Sequence, residues 1–230
     1  MWWQVVLLIV GAYVIGSIPS AYIAGRILRG IDIRKHGSGT VSGTNVWHSV
    51  SRWAMFPVGI FDILKGMAPV GIAYLTGMTL LGDPILAQGL VGLAAIAGHS
   101  WSVFIGFSGG RGIATMMGVL FVIAPWELLV FIVLWVLCIL LFRNSPLGAI
   151  IAIASLPVAS WAIGEPVVLT YILIAVLFLM MAKRIMANPG DLVTDWKRVV
   201  VYRLLLDRDI PDRTAWIYRD HADNDKNAEK

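Results

Sequence analysis

The sequence has little charge and almost no cysteine. Only 14% of its 230 residues are charged, whereas a soluble domain of this length carries about a quarter. Its single cysteine, Cys138, lies in an apolar run, which excludes a disulfide framework and a cysteine-based zinc or haem site. That run supplies no cation to stabilise a thiolate, so a catalytic cysteine is disfavoured. These absences argue against soluble, disulfide-stapled and thiol-dependent proteins.

What the sequence does have is hydrophobic residues, at 58% of the chain. They form consecutive runs of about 20 residues, the length that spans the hydrocarbon core as a helix. The predicted fold class is therefore all-α, a polytopic integral membrane protein with about seven transmembrane helices. The predicted spans are residues 3–24, 54–77, 85–105, 113–125, 127–142, 147–163 and 166–182.

Charged residues divide unequally between the predicted loops. The loops after the first, third, fifth and seventh spans hold lysine and arginine, and the loops on the opposite side hold neither. The positive-inside rule then places the N-terminus outside and the C-terminus in the cytoplasm. The basic residues are Arg26, Arg29, Arg34, Lys35, Arg52, Arg111, Arg143, Lys183 and Arg184, and Asp83, Glu127 and Glu165 face them across the membrane.

The polar C-terminus differs from the rest in composition. Residues 1–186 are expected to form a seven-helix membrane domain, and residues 187–230 a polar cytoplasmic tail. Within the tail, residues 193–206 mix apolar and basic positions, which suits an amphipathic helix on the inner leaflet or on the cytoplasmic face of the bundle. The last residues, 219–230, are expected to be disordered.

Three polar stretches interrupt the apolar sequence, all on the predicted cytoplasmic side. The first runs from Gly37 through Ser38 and Gly39 to Thr44 and Asn45. Glycines let successive backbone N–H groups converge on an oxyanion, and serine and threonine add hydroxyl donors. A helix beginning near Thr44 would favour a phosphate in front of it. The pattern fits an anion site, or an ordinary glycine-rich loop.

The second and third stretches place charges at the ends of spans. Asp62 and Lys65 are three residues apart and can pair on one helix face, while Gly66 is expected to loosen that helix. Charges within a membrane span usually mark function. His99 and the turn around Arg111 lie on the same predicted side as Lys65, which favours a shared anion site. No metal-ligand spacing, Walker sequence or G-x-S-x-G elbow occurs, so no metal site or cofactor is expected.

In order, "GSIPSAYIAGRILRGIDIRKHGSG", "DILKGMAPV" and "GHSWSVFIGFSGGRGIAT" resemble the three cytoplasmic motifs of the bacterial acyl-phosphate:glycerol-3-phosphate acyltransferases, the PlsY family. The resemblance implies a multi-pass enzyme of the bacterial inner (plasma) membrane that works in phospholipid biosynthesis. Such an enzyme moves an acyl chain from acyl phosphate to the sn-1 hydroxyl of glycerol 3-phosphate, giving lysophosphatidic acid and phosphate. The implied partners are these two substrates and the lipid bilayer, without nucleic acid or an identifiable protein partner.

The resemblance also implies roles for residues that match the motifs. Ser38, His99 and Arg111 are the expected catalytic residues. The expected substrate-binding residues are Gly37, Gly39, Thr44, Asn45, His48, Lys65, Gly66, Gly109, Gly110 and Gly112.

The chain departs from the family pattern at several phosphate contacts. Thr40 stands where the family has asparagine, His48 where it has arginine, and Ser108 and Arg111 where it has lysines. These losses leave open a non-catalytic lipid- or phosphate-binding protein and, less readily, a small-solute transporter. Candidates to compensate for the missing contacts are Arg34, Lys35, Arg198 and Arg203.

Overall fold

The computed structural model describes residues 2–186 and 196–217, and helices make up most of both ranges. Two short 3-10 turns, Ile33–Lys35 and Val103–Ile105, lie in the loops. The α-helices of the described residues are α1 (Trp2–Gly16), α2 (Ser20–Arg29), α3 (Gly43–Ser49), α4 (Met55–Leu75), α5 (Pro84–Ser100), α6 (Ile113–Ile123), α7 (Pro125–Phe142), α8 (Ser145–Ile163), α9 (Val167–Ile185), α10 (Trp196–Leu206) and α11 (Arg213–Ile217).

Two of the long helices, α5 and α8, begin at residues that satisfy one of their first backbone amides. The Asp83 carboxylate accepts from the Leu86 amide (2.9 Å) at the start of α5, and the Asn144 side chain accepts from the Leu147 amide (3.2 Å) at the start of α8. A proline follows soon after each cap, where the missing N–H costs nothing. These caps fix the loop ends of helices whose sides are almost wholly apolar.

The helices are those of a multi-pass membrane protein, as predicted. Within the described residues, five helical segments are long and apolar enough to cross a bilayer, and α5 and α6 are shorter apolar helices. Large apolar side chains are exposed along them, as lipid contact requires. The five segments are Trp2–Arg29, Met55–Leu75, Pro125–Phe142, Ser145–Ile163 and Val167–Ile185.

Glycines let two pairs of helices pack with their backbones in contact. A Cβ at Gly66 of α4 would collide with the Thr115 carbonyl of α6, and a Cβ at Gly118 of α6 would collide with the Ile63 carbonyl of α4. Small residues are what membrane helices use for such close packing. Because α4 runs unbroken from Met55 to Leu75, the loosening predicted at Gly66 is wrong. α1 and α5 pack in the same way, with Gly16 against Ala95 and Gly98 against Tyr13.

A single buried apolar cluster joins the helices from α5 to α9. It includes Val91, Met116, Phe131, Leu156 and Leu173, one from each of these five helices in turn, and each is at most 1% exposed. This core holds the bundle together, so the polar loops at its ends are carried on a rigid frame.

The C-terminal helix α10 packs on α8 and α9 at one end of the bundle. Arg184 of α9 donates to the Leu204 carbonyl of α10 (2.9 Å), and Arg203 of α10 donates to the Ile185 carbonyl of α9 (2.9 Å). Arg203 also pairs with Asp209. Residues 193–195 of the predicted amphipathic helix, and the predicted disordered end 219–230, lie outside the described residues.

Candidate active site

A cavity of about 680 Å³ lies where the loop after α2, the helices α4, α6 and α7, and the C-terminal residues meet. Cavities of about 300–1,000 Å³ are typical of small-molecule sites. One side of this cavity is polar and another is apolar. The residues predicted for the site that line it are Ser38, Thr44, Asn45, His48, His99, Arg111 and Gly112.

Asn45 organises the polar loop. Its side-chain Nδ2, with two N–H donors, lies within hydrogen-bonding distance of three carbonyls, those of Ile33 (3.1 Å), His36 (3.0 Å) and Thr40 (2.9 Å). Its carbonyl oxygen accepts from the Ser38 amide (3.2 Å). With only 1% of its surface exposed, this side chain acts mainly as the hub that folds residues 33–40 at the cavity.

Gly37 and Gly39 shape that loop and do not line the cavity. Both have positive φ, +58° and +70°, which favours glycine. A Cβ at Gly37 would also collide with the side chains of Asn45 and Ser49. The loop turns tightly here, and in doing so it presents Ser38 to the cavity.

Three hydroxyl groups form a row along the loop. The Ser38 and Thr40 hydroxyls are 2.8 Å apart, and the Thr40 and Ser42 hydroxyls are also 2.8 Å apart. The Ser42 hydroxyl in turn caps α3 by accepting from the backbone amide of Asn45 (3.4 Å). The row lies on the polar side of the cavity and can donate to an oxyanion or to phosphate oxygens.

Asp62 of α4 is the centre of a buried charge network beside the cavity. Its Oδ1 accepts from the Ser20 hydroxyl (2.7 Å) and from the Lys65 ammonium group (2.9 Å), confirming the predicted pair. Lys65 also donates to the Ile18 carbonyl (3.0 Å) and does not line the cavity. Lys65 therefore neutralises Asp62, as a buried carboxylate requires.

His99 lies between this network and the cavity. Its Nδ1 is 3.6 Å from Asp62 Oδ1, outside hydrogen-bonding distance but close enough for the carboxylate to orient the ring. Gly109 and Gly110 pack behind it, with the Gly110 amide donating to the His99 carbonyl (3.1 Å). A Cβ at Gly110 would collide with His99 Nε2. Gly110 therefore makes room for the imidazole, and Gly109 for the backbone carbonyls of His99 and Ser100; neither glycine lines the cavity.

Arg111 follows in the same loop and lines the cavity. Its Nε lies 2.6 Å from the Asp207 carboxylate, at an angle that makes the contact an ion pair rather than a linear hydrogen bond. Its Nη1 donates to the Lys183 carbonyl (3.4 Å). Gly112, with φ of +78°, ends the loop and begins α6. A cation is thus fixed at the polar side of the cavity.

The apolar side of the cavity is a wall built by three helices. α4 contributes Phe56 and Ile60, α6 contributes Met117, and α7 contributes Trp135. Gly59 of α4 also lies on this wall, and a Cβ built there meets no atom within 4 Å. The cavity therefore suits an amphiphilic molecule with an anionic head and an apolar chain.

Comparison with known families agrees with this chemistry. The family described as glycerol-3-phosphate acyltransferase matches residues 6–194. The chain belongs to this glycerol-3-phosphate acyltransferase family. Of the curated relatives, glycerol-3-phosphate acyltransferase 5 of Dehalococcoides mccartyi is 35% identical over 94% of both chains. Glycerol-3-phosphate acyltransferase 2 of Moorella thermoacetica is 43% identical over 68% of this chain and 76% of its own.

Two crystal structures of PlsY (YgiH), an integral membrane glycerol 3-phosphate acyltransferase, share the fold. The glycerol 3-phosphate form has a TM-score of 0.70 and 33% identity, over 79% of this chain and 88% of that one. The lysophosphatidic acid form has a TM-score of 0.72 and 30% identity, over 90% of this chain and 94% of that one. The acyltransferase fold thus extends over most of the chain.

Two of the cations that the sequence suggested as compensating residues make their contacts away from the cavity wall. Arg34 pairs with Asp32 (2.7 Å) and donates to the Ile105 carbonyl (3.1 Å), and Arg203 pairs with Asp209. The Arg34 guanidinium holds the pKa of the Asp32 carboxyl below its usual value. None of the four suggested residues, Arg34, Lys35, Arg198 and Arg203, is among those that line the cavity.

Three other arginines line the cavity. Arg143 follows α7, Arg184 ends α9, and Arg208 follows α10. The charge distribution predicts that Arg143 and Arg184 lie on the cytoplasmic side, but it does not predict that they share a cavity with Arg111. Arg208 and its neighbours were missed because they lie in a tail whose packing has no signal in the sequence.

Proposed function

We propose that this protein is a membrane glycerol-3-phosphate acyltransferase that uses acyl phosphate as its donor. It transfers the acyl chain to the sn-1 hydroxyl of glycerol 3-phosphate and releases lysophosphatidic acid and phosphate, a step of phospholipid biosynthesis. The observation that carries the proposal is the two-sided cavity, which joins hydroxyls and arginines to an apolar wall in a member of this family. The PlsY structures that it resembles include glycerol 3-phosphate and lysophosphatidic acid forms.

The reaction needs positioning more than it needs a strong nucleophile. An acyl phosphate is already activated, so the acceptor hydroxyl can attack the acyl carbon directly. The new C–O ester bond forms as the bond to the phosphate oxygen breaks, and the departing phosphate takes the hydroxyl proton. Holding both substrates in one cavity and stabilising the developing oxyanion supply the acceleration. Neither a covalent intermediate nor a cofactor is required by this scheme.

In this proposal Ser38, His99 and Arg111 act on the reacting groups. The Ser38 hydroxyl, in its row with Thr40, donates to the developing oxyanion. Arg111 binds a phosphate group, because a guanidinium matches phosphate geometry with more than one N–H. His99, oriented by Asp62, contacts the substrate at the inner end of the cavity.

The remaining predicted residues divide into those that contact substrate and those that support the site. The residues proposed to contact substrate line the cavity: Thr44, Asn45, His48 and Gly112. The supporting residues hold the site in shape: Gly37 and Gly39 in the polar loop, Gly109 and Gly110 behind His99, Lys65 beside Asp62, and Gly66 between α4 and α6.

We also propose that the chain crosses the bacterial inner membrane seven times, with its N-terminus outside and its C-terminus in the cytoplasm. The segregation of basic loops supports this orientation. So does the cavity, which collects Arg111, Arg143 and Arg184 from three loops assigned to the cytoplasmic side. Both substrates are phosphate anions, and a cytoplasmic cavity would give them access from the same compartment.

The test is product formation by purified protein in detergent, given palmitoyl phosphate and glycerol 3-phosphate. We expect lysophosphatidic acid by mass spectrometry, and a loss of about a hundredfold in His99→Ala and in Arg111→Ala, the usual effect of removing one oxyanion or phosphate contact. His36→Ala and Arg52→Ala are matched controls, because neither side chain lines the cavity. Folded parent protein that forms no lysophosphatidic acid would refute the proposal.

A further inference from the structure

We infer that Asp207 is a positioning residue that holds the Arg111 guanidinium in place for phosphate, so that the C-terminal residues complete the site. The inference rests on the proposed function for its substrates, but the contact itself is a feature of this chain. No role was predicted for Asp207, which lies just beyond α10. Its carboxylate lies 2.6 Å from Nε of Arg111, so it links the residue after α10 to the loop before α6.

The contact helps to set the orientation of the Arg111 guanidinium. A guanidinium binds phosphate through N–H groups set in a rigid plane, so its orientation decides how many of them reach the ligand. Asp207 holds the Nε side of Arg111, and the Lys183 carbonyl accepts from Nη1 (3.4 Å). Two elements, the C-terminal residues and the end of α9, thus set the plane of the group. Arg111 remains part of the cavity wall.

The backbone at Asp207 turns the chain at the end of α10. Its φ is +55°, in the left-handed region that glycine adopts most readily and that asparagine and aspartate adopt more often than other residues. Its backbone amide still donates to the Arg203 carbonyl (3.1 Å). The carboxylate therefore meets Arg111 from a defined helix end.

The C-terminal residues are anchored firmly enough to position Arg111. Arg184 donates to the Leu204 carbonyl, and Arg203 donates to the Ile185 carbonyl, so both ends of the α9–α10 contact are hydrogen-bonded. Asp207 follows within one turn of these anchors. Trp216, only 6% exposed, lines the same cavity from α11. The carboxylate therefore approaches Arg111 from a fixed support.

Competition is the alternative to positioning, and it predicts the opposite change in substrate affinity. If the Asp207 carboxylate competes with phosphate for Arg111, removing it strengthens substrate binding. Positioning requires that removal weaken binding. The direction of the change in KM, and in phosphate affinity, therefore decides between the two.

The experiment uses Asp207→Gly, because glycine keeps the left-handed backbone while it removes the short side chain that carries the carboxylate. Asp207→Asn, which also tolerates this conformation, is the second variant in case the first fails to fold. Asp212→Asn is the matched control: it removes one negative charge from the same segment, at an exposed residue that does not line the cavity. For each protein we would measure KM for palmitoyl phosphate and for glycerol 3-phosphate, and the affinity for inorganic phosphate by calorimetry.

We expect Asp207→Gly to raise one of the two KM values about tenfold and to weaken phosphate binding by a similar factor, the effect of losing one charge-assisted contact. The KM that rises identifies whether the phosphate at Arg111 belongs to the donor or the acceptor. Asp212→Asn should match the parent. Unchanged or tighter phosphate binding in both Asp207 variants would overturn the inference. An inactive parent whose phosphate binding still weakens in Asp207→Gly would refute the proposed function and leave the positioning role standing.

Discussion

A substitution at Gly59 tests whether the apolar wall binds the acyl chain. This glycine lies in α4 on the cavity wall, and a Cβ there meets no atom within 4 Å. A leucine at this position would project into space that the acyl chain is proposed to occupy. Because leucine favours the helix more than glycine does, Gly59→Leu should not unfold α4.

The expected magnitude follows from the chain that leucine displaces. If it excludes about three methylenes, at about 0.8 kcal/mol for each, binding of a long acyl phosphate weakens by about 2.4 kcal/mol, or about fiftyfold. A donor short enough to end before Gly59 loses nothing. The acceptor has no acyl chain, so KM for glycerol 3-phosphate should stay the same. Gly59→Leu is therefore expected to shift preference toward shorter donors.

The assay is kcat/KM for a series of acyl phosphates of increasing chain length. Gly71→Leu is the matched control, since Gly71 lies in the same helix, has equal room for a Cβ, and does not line the cavity. An equal loss at every chain length, or the same shift in Gly71→Leu, would show that the wall is not the acyl site.

Two further predictions concern the charge networks. Asp62→Asn leaves the buried Lys65 ammonium without its counter-ion and should cost about 3–5 kcal/mol of stability; adding Lys65→Met should restore Tm but not activity, because His99 still lacks its orienting carboxylate. Recovered activity in the double variant would limit Asp62 to a structural role. The second prediction is that Asp32→Asn lowers Tm by a few degrees at pH 7 and by less at pH 3. The Arg34 guanidinium lowers the pKa of Asp32 in the folded protein, so the stabilisation is fully present above the unfolded value of 3.8 and is lost progressively as pH falls from there through the lower folded pKa. An equal loss of Tm at both pH values would contradict this.

The sequence predicted those site residues that interrupt an apolar run. His99 and Arg111 stand out because charge and glycine are rare inside membrane segments, and Ser38 because its flanking glycines mark a tight loop. The pairing of Asp62 with Lys65 follows from helical spacing alone. Each of these signals is local, and each residue lies at the cavity or beside it.

The roles that the sequence could not predict depend on packing between distant segments. Gly66 was expected to loosen α4, but its lack of a side chain serves contact with Thr115 on a neighbouring helix. Asn45 was expected to bind substrate and does line the cavity, but the contacts of its side-chain nitrogen with three carbonyls of its own loop were not predicted. Asp207 reaches Arg111 only because α10 folds back onto α9. No periodicity or spacing encodes such contacts.

The most direct test of the central claim is phosphate release by the purified, monodisperse protein given palmitoyl phosphate, measured with and without glycerol 3-phosphate. The two-substrate cavity predicts release that depends on the acceptor, with one lysophosphatidic acid formed for each phosphate released. Release that is the same without the acceptor, or no release at all from folded protein, would contradict it.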